Sequence, residues 1–340
     1  MPGGSPPRKV RGGARITVAV LMLLVLGGIA VAFGRFSSQP LGFSPSPVRV
    51  TIMPGSGLGT IARELSRQGI LSPGWAFIAL ARVRGQGERL KAGTYEINAA
   101  ATPMTLLDRM VKGDVVRIEV RLIEGWSFRD VRAAIDAVAD MRHDSAGQSE
   151  REILERLGAI ETSAEGLFFP DTYRFAAGSS DLALLRKAYD RMRERVRVNW
   201  EGRQPGLPIT SPYQLLTLAS IVEKETGQAA DRGLIAAVFL NRLREGMKLQ
   251  SDPTTIFGLG ERFDGNLRRP DLVDPSVYNT YMHEGLPPSP IALPGEAALA
   301  AVSHPPATSA RYFVAKGDGF SAFSATLADH NRAVARYQRR

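Results

Sequence analysis

Residues 211–226, Ser-Pro-Tyr-Gln-Leu-Leu-Thr-Leu-Ala-Ser-Ile-Val-Glu-Lys-Glu-Thr, have the pattern of a largely buried helix. Ser211 is a typical N-cap residue, Pro212 suits the first helical position, and Gln214 follows three residues after the cap. Apolar residues fill most of the positions from Leu215 to Val222. The pattern therefore predicts a core helix with an acidic residue, Glu223, on its apolar side.

Glu223 is the most informative residue of this helix. It shares one helix face with Leu216, Ala219 and Ser220. A carboxylate among apolar neighbours is costly unless it is paired or has a chemical role, and burial raises the pKa of such a group toward the range of a general acid. The alternative is a structural Glu at the helix end, solvated or paired with an Arg. Spacing alone leaves both interpretations open.

Several other chemistries are excluded by composition and motif. The chain has no cysteine, which excludes a thiolate nucleophile, disulfides and Cys-ligated zinc. It has no G-x-S-x-G or S-x-x-K motif, and its four histidines lack metal-ligand spacing, so no metal or cofactor is expected. Carboxylates remain as the reacting groups, and the candidates besides Glu223 are Glu165, Asp171 and Asp252.

An apolar N-terminal segment predicts a membrane anchor. Residues 16–33 carry no charge and would extend about 27 Å as a helix, enough to cross the bilayer core. Basic residues precede this run and place the N-terminus in the cytoplasm, namely Arg8, Lys9, Arg11 and Arg15. A cleaved signal peptide ending at residues 30–32 is the alternative, but the run is longer than a usual signal segment. Under either interpretation residues 35 onward are exported.

The charge balance bears on the partners of the chain. The formal net charge is +9, which suits an anionic partner such as an acidic polymer or anionic lipid. Lys and Arg do not form a stripe interleaved with aromatic residues, so no nucleic-acid partner is expected.

Periodicity predicts an α+β fold in several parts. Residues 48–53 and 93–97 have strand patterns, and a strand–Gly turn–helix pattern at 52–61 recurs at 122–131. A second helix is predicted at about residues 231–245, whereas the chain beyond 250 is rich in Gly and Pro, with little regular pattern. The predicted parts are a cytoplasmic tail (1–15), a transmembrane anchor (16–34), a linker (35–47), a small α/β module (48–117) and a larger mixed α+β catalytic domain (118–338).

Seven motifs, in order, resemble those of the YceG-like family of endolytic murein transglycosylases. The resemblance extends over nearly all of the chain from residue 48 onward. The motifs are Glu165-Gly-Leu-Phe-Phe-Pro-Asp-Thr-Tyr173, residues 219–226, Val238-Phe-Leu-Asn-Arg-Leu243, Leu249-Gln-Ser-Asp-Pro-Thr254, Tyr278-Asn-Thr-Tyr281, Gly285-Leu-Pro-Pro-Ser-Pro-Ile291 and Tyr312-Phe-Val314.

The resemblance implies a specific activity. Members of the family cut peptidoglycan glycan strands internally, next to the inner membrane. They act as lyases and leave a 1,6-anhydro-N-acetylmuramic acid end, which is thought to terminate nascent strands. Their catalytic Glu matches Glu223, and their small module is LysM-like. The resemblance also implies a single-pass inner-membrane protein with a periplasmic catalytic region, and it makes peptidoglycan synthases candidate partners.

Polar residues in these motifs are candidates for substrate binding. Asn241, Tyr278 and Asn279 are of a type that orients sugar hydroxyl and N-acetyl groups, while Asp252 and Glu165 are further candidates. Asn241 either touches substrate or braces the Glu223 helix. Two other functions stay open from the residues alone. One is a hydrolase that pairs Glu223 with Asp252 or Glu165, and the other is a non-catalytic scaffold that binds glycan.

Overall fold

The computed structural model describes residues 12–338, with side chains from residue 17 onward. The predicted tail at residues 1–15 therefore lies outside the described residues, apart from the helical backbone of its last four. The chain divides into two compact units. The first runs to Arg117 and includes Ala176–Gly178, and the second contains Ile118–Phe175 and everything from Ser179 onward.

The first unit begins with a long N-terminal helix. In chain order its elements are α1 (Gly12–Ser38), β1 (Val48–Ile52), α2 (Leu58–Arg67), α3 (Gly74–Val83), β2 (Gly93–Ile97) and α4 (Pro103–Lys112). β1 and β2 form a two-stranded antiparallel sheet in which Val48 pairs with Ile97 and Ile52 with Gly93. The helices cover this sheet because alternate strand residues and one face of each helix are apolar. Tyr95, Phe77 and Leu65 are among the fully buried core residues.

Helix α1 is apolar and exposed over most of its length. Thr17–Ser38 is the one helix of the described residues that is long and apolar enough to cross a membrane. The helix extends beyond the predicted anchor, because residues 35–38 of the predicted linker are still helical. Phe33 and Phe36 pack against the core of the first unit, and Leu41 N–H donates to Ala101 O (2.8 Å). The segment after the anchor is thus packed rather than free.

The second unit is mainly helical. Its elements are β3 (Arg117–Arg121), α5 (Phe128–Asp136), α6 (Glu150–Leu157), β4 (Thr172–Ala176), α7 (Asp181–Glu201), α8 (Pro212–Glu225), α9 (Ala229–Arg244), α10 (Asp252–Leu259), α11 (Glu296–Ser303), β5 (Tyr312–Ala315), β6 (Ser321–Ser324) and α12 (Leu327–Tyr337), with two short 3-10 turns between α10 and α11. β3 pairs with β4, and β5 pairs with β6 in antiparallel register.

Helix α8 is the central element of this unit. Every residue from Leu215 to Val222 is buried, and α7, α9, α10 and α11 all contact the helix. Burying a Leu or Ile side chain stabilises the fold by about 1.5–3 kcal/mol, so eight consecutive buried positions hold this helix firmly in place. The carboxylate at its last turn is therefore fixed by the core rather than by a flexible loop.

Candidate active site

Glu223 lies in the last turn of α8 and is half-buried. One carboxylate oxygen, Oε2, accepts a hydrogen bond from Gly295 N–H (2.9 Å), at the start of α11. Burial is the largest of the influences that raise the pKa of Glu223, followed by the negative charge of Glu124; the Gly295 N–H, Arg232 and Lys224 oppose this rise. A carboxyl group that keeps its proton closer to neutral pH is suited to general acid catalysis.

The segment 289–295 carries Gly295 and is tied to α8. Ser220 Oγ, one turn before Glu223, accepts from Ile291 N–H (3.0 Å) and donates to Thr217 O (2.7 Å). The sequence grouped Ser220 with Glu223 on one helix face, and the structure gives this hydroxyl a role there. It connects α8 to the segment that supplies the Gly295 N–H.

The turn at residues 123–127, between β3 and α5, lies against the 289–295 segment at the site. Gly125 N–H donates to Leu293 O and Leu293 N–H donates to Trp126 O, both at 2.8 Å. Lys224 Nζ donates to Gly125 O (3.2 Å). The turn, the 289–295 segment and the end of α8 are thereby joined by backbone and side-chain hydrogen bonds around Glu223.

Glu165 and Gly166 contact the residues that follow the 123–127 turn and the 289–295 segment, respectively. The Glu165 carboxylate is buried and accepts from Phe128 N–H (3.0 and 3.1 Å), which caps the start of α5 directly after the 123–127 turn. Burial raises the pKa of Glu165 to about 7, against the lowering effect of the Phe128 N–H. Gly166 lies against Pro290 and Ala292 of the 289–295 segment. These contacts give the Glu165 motif a structural role at the site.

Tyr278 and Asn279 occupy different environments. The Tyr278 hydroxyl shares a hydrogen bond with Ser289 Oγ (2.8 Å), at the start of the 289–295 segment. The Asn279 side chain is fully buried. Its Oδ1 accepts from Thr255 Oγ1 and Tyr281 N–H, and its Nδ2 donates to two backbone carbonyls. The hydrogen-bonding capacity of this amide is therefore used within the protein, which makes it a brace for the loop around it.

Asn241 lies on α9 and binds the chain that precedes β5. Its Nδ2 donates to Thr308 O (3.0 Å) and Ala310 O (2.9 Å), and its Oδ1 accepts from Arg244 (2.8 Å). These contacts show bracing by Asn241, but not of the Glu223 helix, which was the role that the sequence analysis weighed against substrate contact. The segment that it braces is 308–310.

Asp252 lines a polar cavity of about 400 Å³, and Glu223 is not part of that lining. Asp252 Oδ1 accepts from the Tyr281 hydroxyl (2.6 Å), and Glu225, which also lines the cavity, accepts from Ser251 Oγ. Burial raises the pKa of Glu225 to about 7. Glu225 is two residues after Glu223, so the two side chains leave the helix in different directions.

The carboxylate that the structure brings to Glu223 is Glu124, which the sequence analysis did not single out. The other candidates have partners elsewhere: Glu165 binds Phe128 N–H, Asp252 binds Tyr281, and Asp171 forms an ion pair with Arg191. A signal for Glu124 was present in the recurring strand–Gly turn–helix pattern. The turn of the second copy contains Glu124 where the first copy has a proline.

The fold and the site define a class of protein. The described residues form one apolar N-terminal helix and an α+β body. A half-buried Glu with a raised pKa lies in the last turn of the central helix, α8. The sequence model of the YceG-like family matches residues 50–336, and the chain belongs to that family.

Individual relatives agree with this assignment. A Bacillus subtilis protein named endolytic murein transglycosylase is 29% identical over 92% of this chain and 91% of its own length. A Streptococcus pneumoniae protein of the same name is 26% identical over 95% of this chain, which spans 66% of that longer relative. The crystal structure of a putative YceG-like protein from Listeria monocytogenes matches with a TM-score of 0.51 and 26% identity, covering 85% of this chain and 99% of that one.

Proposed function

We propose that this protein is an endolytic peptidoglycan lytic transglycosylase. It cleaves glycan strands between N-acetylmuramic acid and N-acetylglucosamine and leaves a 1,6-anhydro-N-acetylmuramic acid end. The observation that carries the proposal is the single glutamate, Glu223, whose raised pKa fits an acid–base residue. The substrate and the reaction are supported by the membership of this protein in the YceG-like family and by its relatives named endolytic murein transglycosylases.

One carboxyl group is sufficient for this reaction. Protonated Glu223 donates its proton to the glycosidic oxygen as the bond from that oxygen to C1 of the muramic acid breaks. The resulting carboxylate then takes the proton of the C6 hydroxyl as the C6 oxygen bonds to C1. The proton returns to Glu223, no water is consumed, and the substrate supplies its own nucleophile. A two-carboxylate hydrolase would instead need a second acid or base to activate water or to attack C1.

Product analysis tests this proposal directly. We expect the full-length protein in detergent to release glycans with anhydro ends from purified strands, with no incorporation of isotopically labelled water, as measured by mass spectrometry. Reducing ends that carry the label would contradict the lyase assignment and favour the two-carboxylate hydrolase. Binding of strands without any cleavage would favour the non-catalytic scaffold.

We propose further that α1 is a single-pass inner-membrane anchor, with its N-terminus in the cytoplasm and the rest of both units in the periplasm. The exposed apolar length of Thr17–Ser38 supports insertion, because such a surface is unfavourable in water. The basic residues before it in the sequence support the orientation. This placement would bring Glu223 to nascent strands near the membrane, where strand termination alongside peptidoglycan synthases is the expected role.

The domain at residues 48–117 is proposed to be a LysM-like module that holds the glycan, with the catalytic domain at 118–338. The order β1–α2–α3–β2, with the strands antiparallel, supports this. A cavity of about 890 Å³ lies between the turn before α2 and the loop after α3, and its lining includes Gly55, Gly57, two cations, Arg82 and Arg89, and one acidic residue, Glu88. Exposed backbone and cations of this kind suit a polar, acidic polymer.

Binding measurements test the module. Replacing Arg82 and Arg89 together by Ala should weaken binding to purified peptidoglycan by up to about tenfold, because two charged contacts are lost. The measurement is cosedimentation in a Glu223→Gln background, which prevents cleavage. Lys112→Ala removes an exposed cation of the same unit outside the cavity and is the control. Equal binding by the double variant and the control would contradict a glycan site in this cavity.

A further inference from the structure

Glu124 and Glu223 flank the same residue, Gly295. The Gly295 N–H donates to Glu223 Oε2 (2.9 Å), and a Cβ atom added to Gly295 would overlap the Glu124 carboxylate. The Glu124 carboxylate therefore lies directly against the Gly295 Cα. Given standard bond lengths, the nearest oxygens of the two carboxylates are at most roughly 7 Å apart.

The backbone of Gly295 does not itself require glycine. Its φ of −83° and ψ of 176° form an extended conformation that any residue adopts. The space beside it holds the exposed Glu124 side chain, whose carboxylate lies where a Cβ would stand, so a side chain at 295 would displace that carboxylate. The absence of a side chain at 295 thus makes room for a second carboxylate at the site.

The backbone that carries Glu124 is held by hydrogen bonds of the two residues that follow it. Gly125, the next residue, is bound through its N–H to Leu293 O and through its carbonyl to Lys224 Nζ. Leu293 N–H in turn binds Trp126 O. These contacts anchor the backbone beside Glu124 to the segment and the helix that hold Glu223, which places the base of the exposed Glu124 side chain near Glu223.

We propose that Glu124 is a positioning residue of the active site, which acts through Glu223 by keeping its carboxyl group protonated before cleavage and by favouring its reprotonation when the anhydro ring closes. This inference rests on the proposed function. Glu124 itself forms no bond to the substrate in this scheme and transfers no proton. The proton cycle remains that of Glu223, the glycosidic oxygen and the C6 hydroxyl.

The charges that face Glu223 explain why such a residue is needed. Arg232 from α9 and Lys224 from α8 both favour the ionised form of Glu223, as does the Gly295 N–H. Burial and Glu124 act in the opposite direction and raise the pKa of Glu223. Glu124 is therefore the one acidic group among these facing residues, and it offsets the nearby cations so that Glu223 can serve as an acid.

The pH dependence of cleavage tests this inference. Activity requires protonated Glu223, so its pKa sets the alkaline limb of the kcat/KM profile. Glu124→Gln removes a charge that raises this pKa, and we expect the alkaline limb to move to lower pH by about half a unit to one unit. At pH values above the alkaline limbs of both proteins, Glu124→Gln should then cleave about threefold to tenfold more slowly than the unmodified protein. The measurement is release of anhydro ends by the full-length protein in detergent across a pH series.

Two further variants make the test specific. Glu155→Gln removes an exposed carboxylate on α6 and should leave the profile unchanged. Gly295→Ala keeps Glu124 but displaces its carboxylate, and it should move the alkaline limb in the same direction as Glu124→Gln. In the double variant Glu124→Gln/Gly295→Ala we expect no additional shift, because both changes remove the same charge from Glu223.

The outcomes separate this inference from the proposed function. If the unmodified protein releases no anhydro ends, the proposed function fails. If the unmodified protein cleaves and the alkaline limb of Glu124→Gln coincides with that of Glu155→Gln, the inference about Glu124 is overturned. A uniform loss of rate at every pH, without movement of the limb, would likewise overturn it, since that result indicates a purely structural role. Should Glu124→Gln fail to fold, Gly295→Ala alone decides between these outcomes.

Discussion

Replacing Glu223 by Gln should lower the release of anhydro-ended glycans by at least about a hundredfold. The amide neither protonates the glycosidic oxygen nor accepts the proton of the C6 hydroxyl, so both halves of the reaction lose their proton carrier. The carbonyl oxygen of Gln can still accept the Gly295 N–H that Glu223 binds at 2.9 Å. The fold should therefore persist, which circular dichroism and thermal unfolding would show.

A matched control tests whether a Glu→Gln change away from the site affects activity. Glu155→Gln makes the same chemical change on an exposed position of α6, where Glu155 forms a surface ion pair with Arg151. Surface pairs of this kind contribute little to stability, so this variant should retain full activity. If Glu223→Gln cleaved glycan at a rate close to that of Glu155→Gln, the assignment of Glu223 as the acid–base residue would be wrong.

Replacing Gly166 by Ala should have the largest effect on stability near the site. Gly166 has a φ of +77°, and a Cβ there would overlap the Pro290 ring and lie 3.1 Å from Ala292 O. We expect the free energy of unfolding to fall by about 2–4 kcal/mol, from the left-handed backbone and the steric overlap together. Urea denaturation followed by tryptophan fluorescence measures it. Cleavage should also slow, because the 289–295 segment carries the Gly295 N–H that binds Glu223.

Gly158→Ala is the control for the backbone contribution. Gly158 ends α6 with a φ of +59°, and an added Cβ would meet open space. This variant should therefore cost only the left-handed backbone energy, about 1 kcal/mol, and leave cleavage unchanged. Equal destabilisation by the two variants would show that the contact of Gly166 with the 289–295 segment does not stabilise the site.

Local sequence signals predicted the start of α8 well. Ser211 was predicted as the N-cap, and its Oγ accepts from Gln214 N–H (3.2 Å). In a capping box the Gln214 side chain would accept from the N–H of Ser211 itself. Here it accepts from the N–H of the preceding residue, Thr210. Helix capping depends on residues within one turn, which is why the sequence carried this information.

Periodicity predicted one further helix, but it did not predict the elements beyond residue 250. The second predicted helix, at about residues 231–245, is observed as α9 at Ala229–Arg244. The region beyond 250 showed little regular pattern, yet it contains α10, α11, β5, β6 and α12. Four of these five elements are short: α10 and α11 have eight residues each, and β5 and β6 have four. Runs of that length contain too few periods to be distinguished from loop.

The sequence by itself determined that α8 is a core helix, that Glu223 lies at its end on a buried face, and that the chain resembles the YceG-like family. Tertiary structure alone decided which groups surround Glu223. Gly295 is 72 residues away along the chain, and Lys224 reaches across 99 residues to Gly125, the neighbour of Glu124. Periodicity reports which side of an element is apolar, but it does not report which distant turns meet there. Those contacts form only when burial of α8 brings the 123–127 turn and the 289–295 segment together.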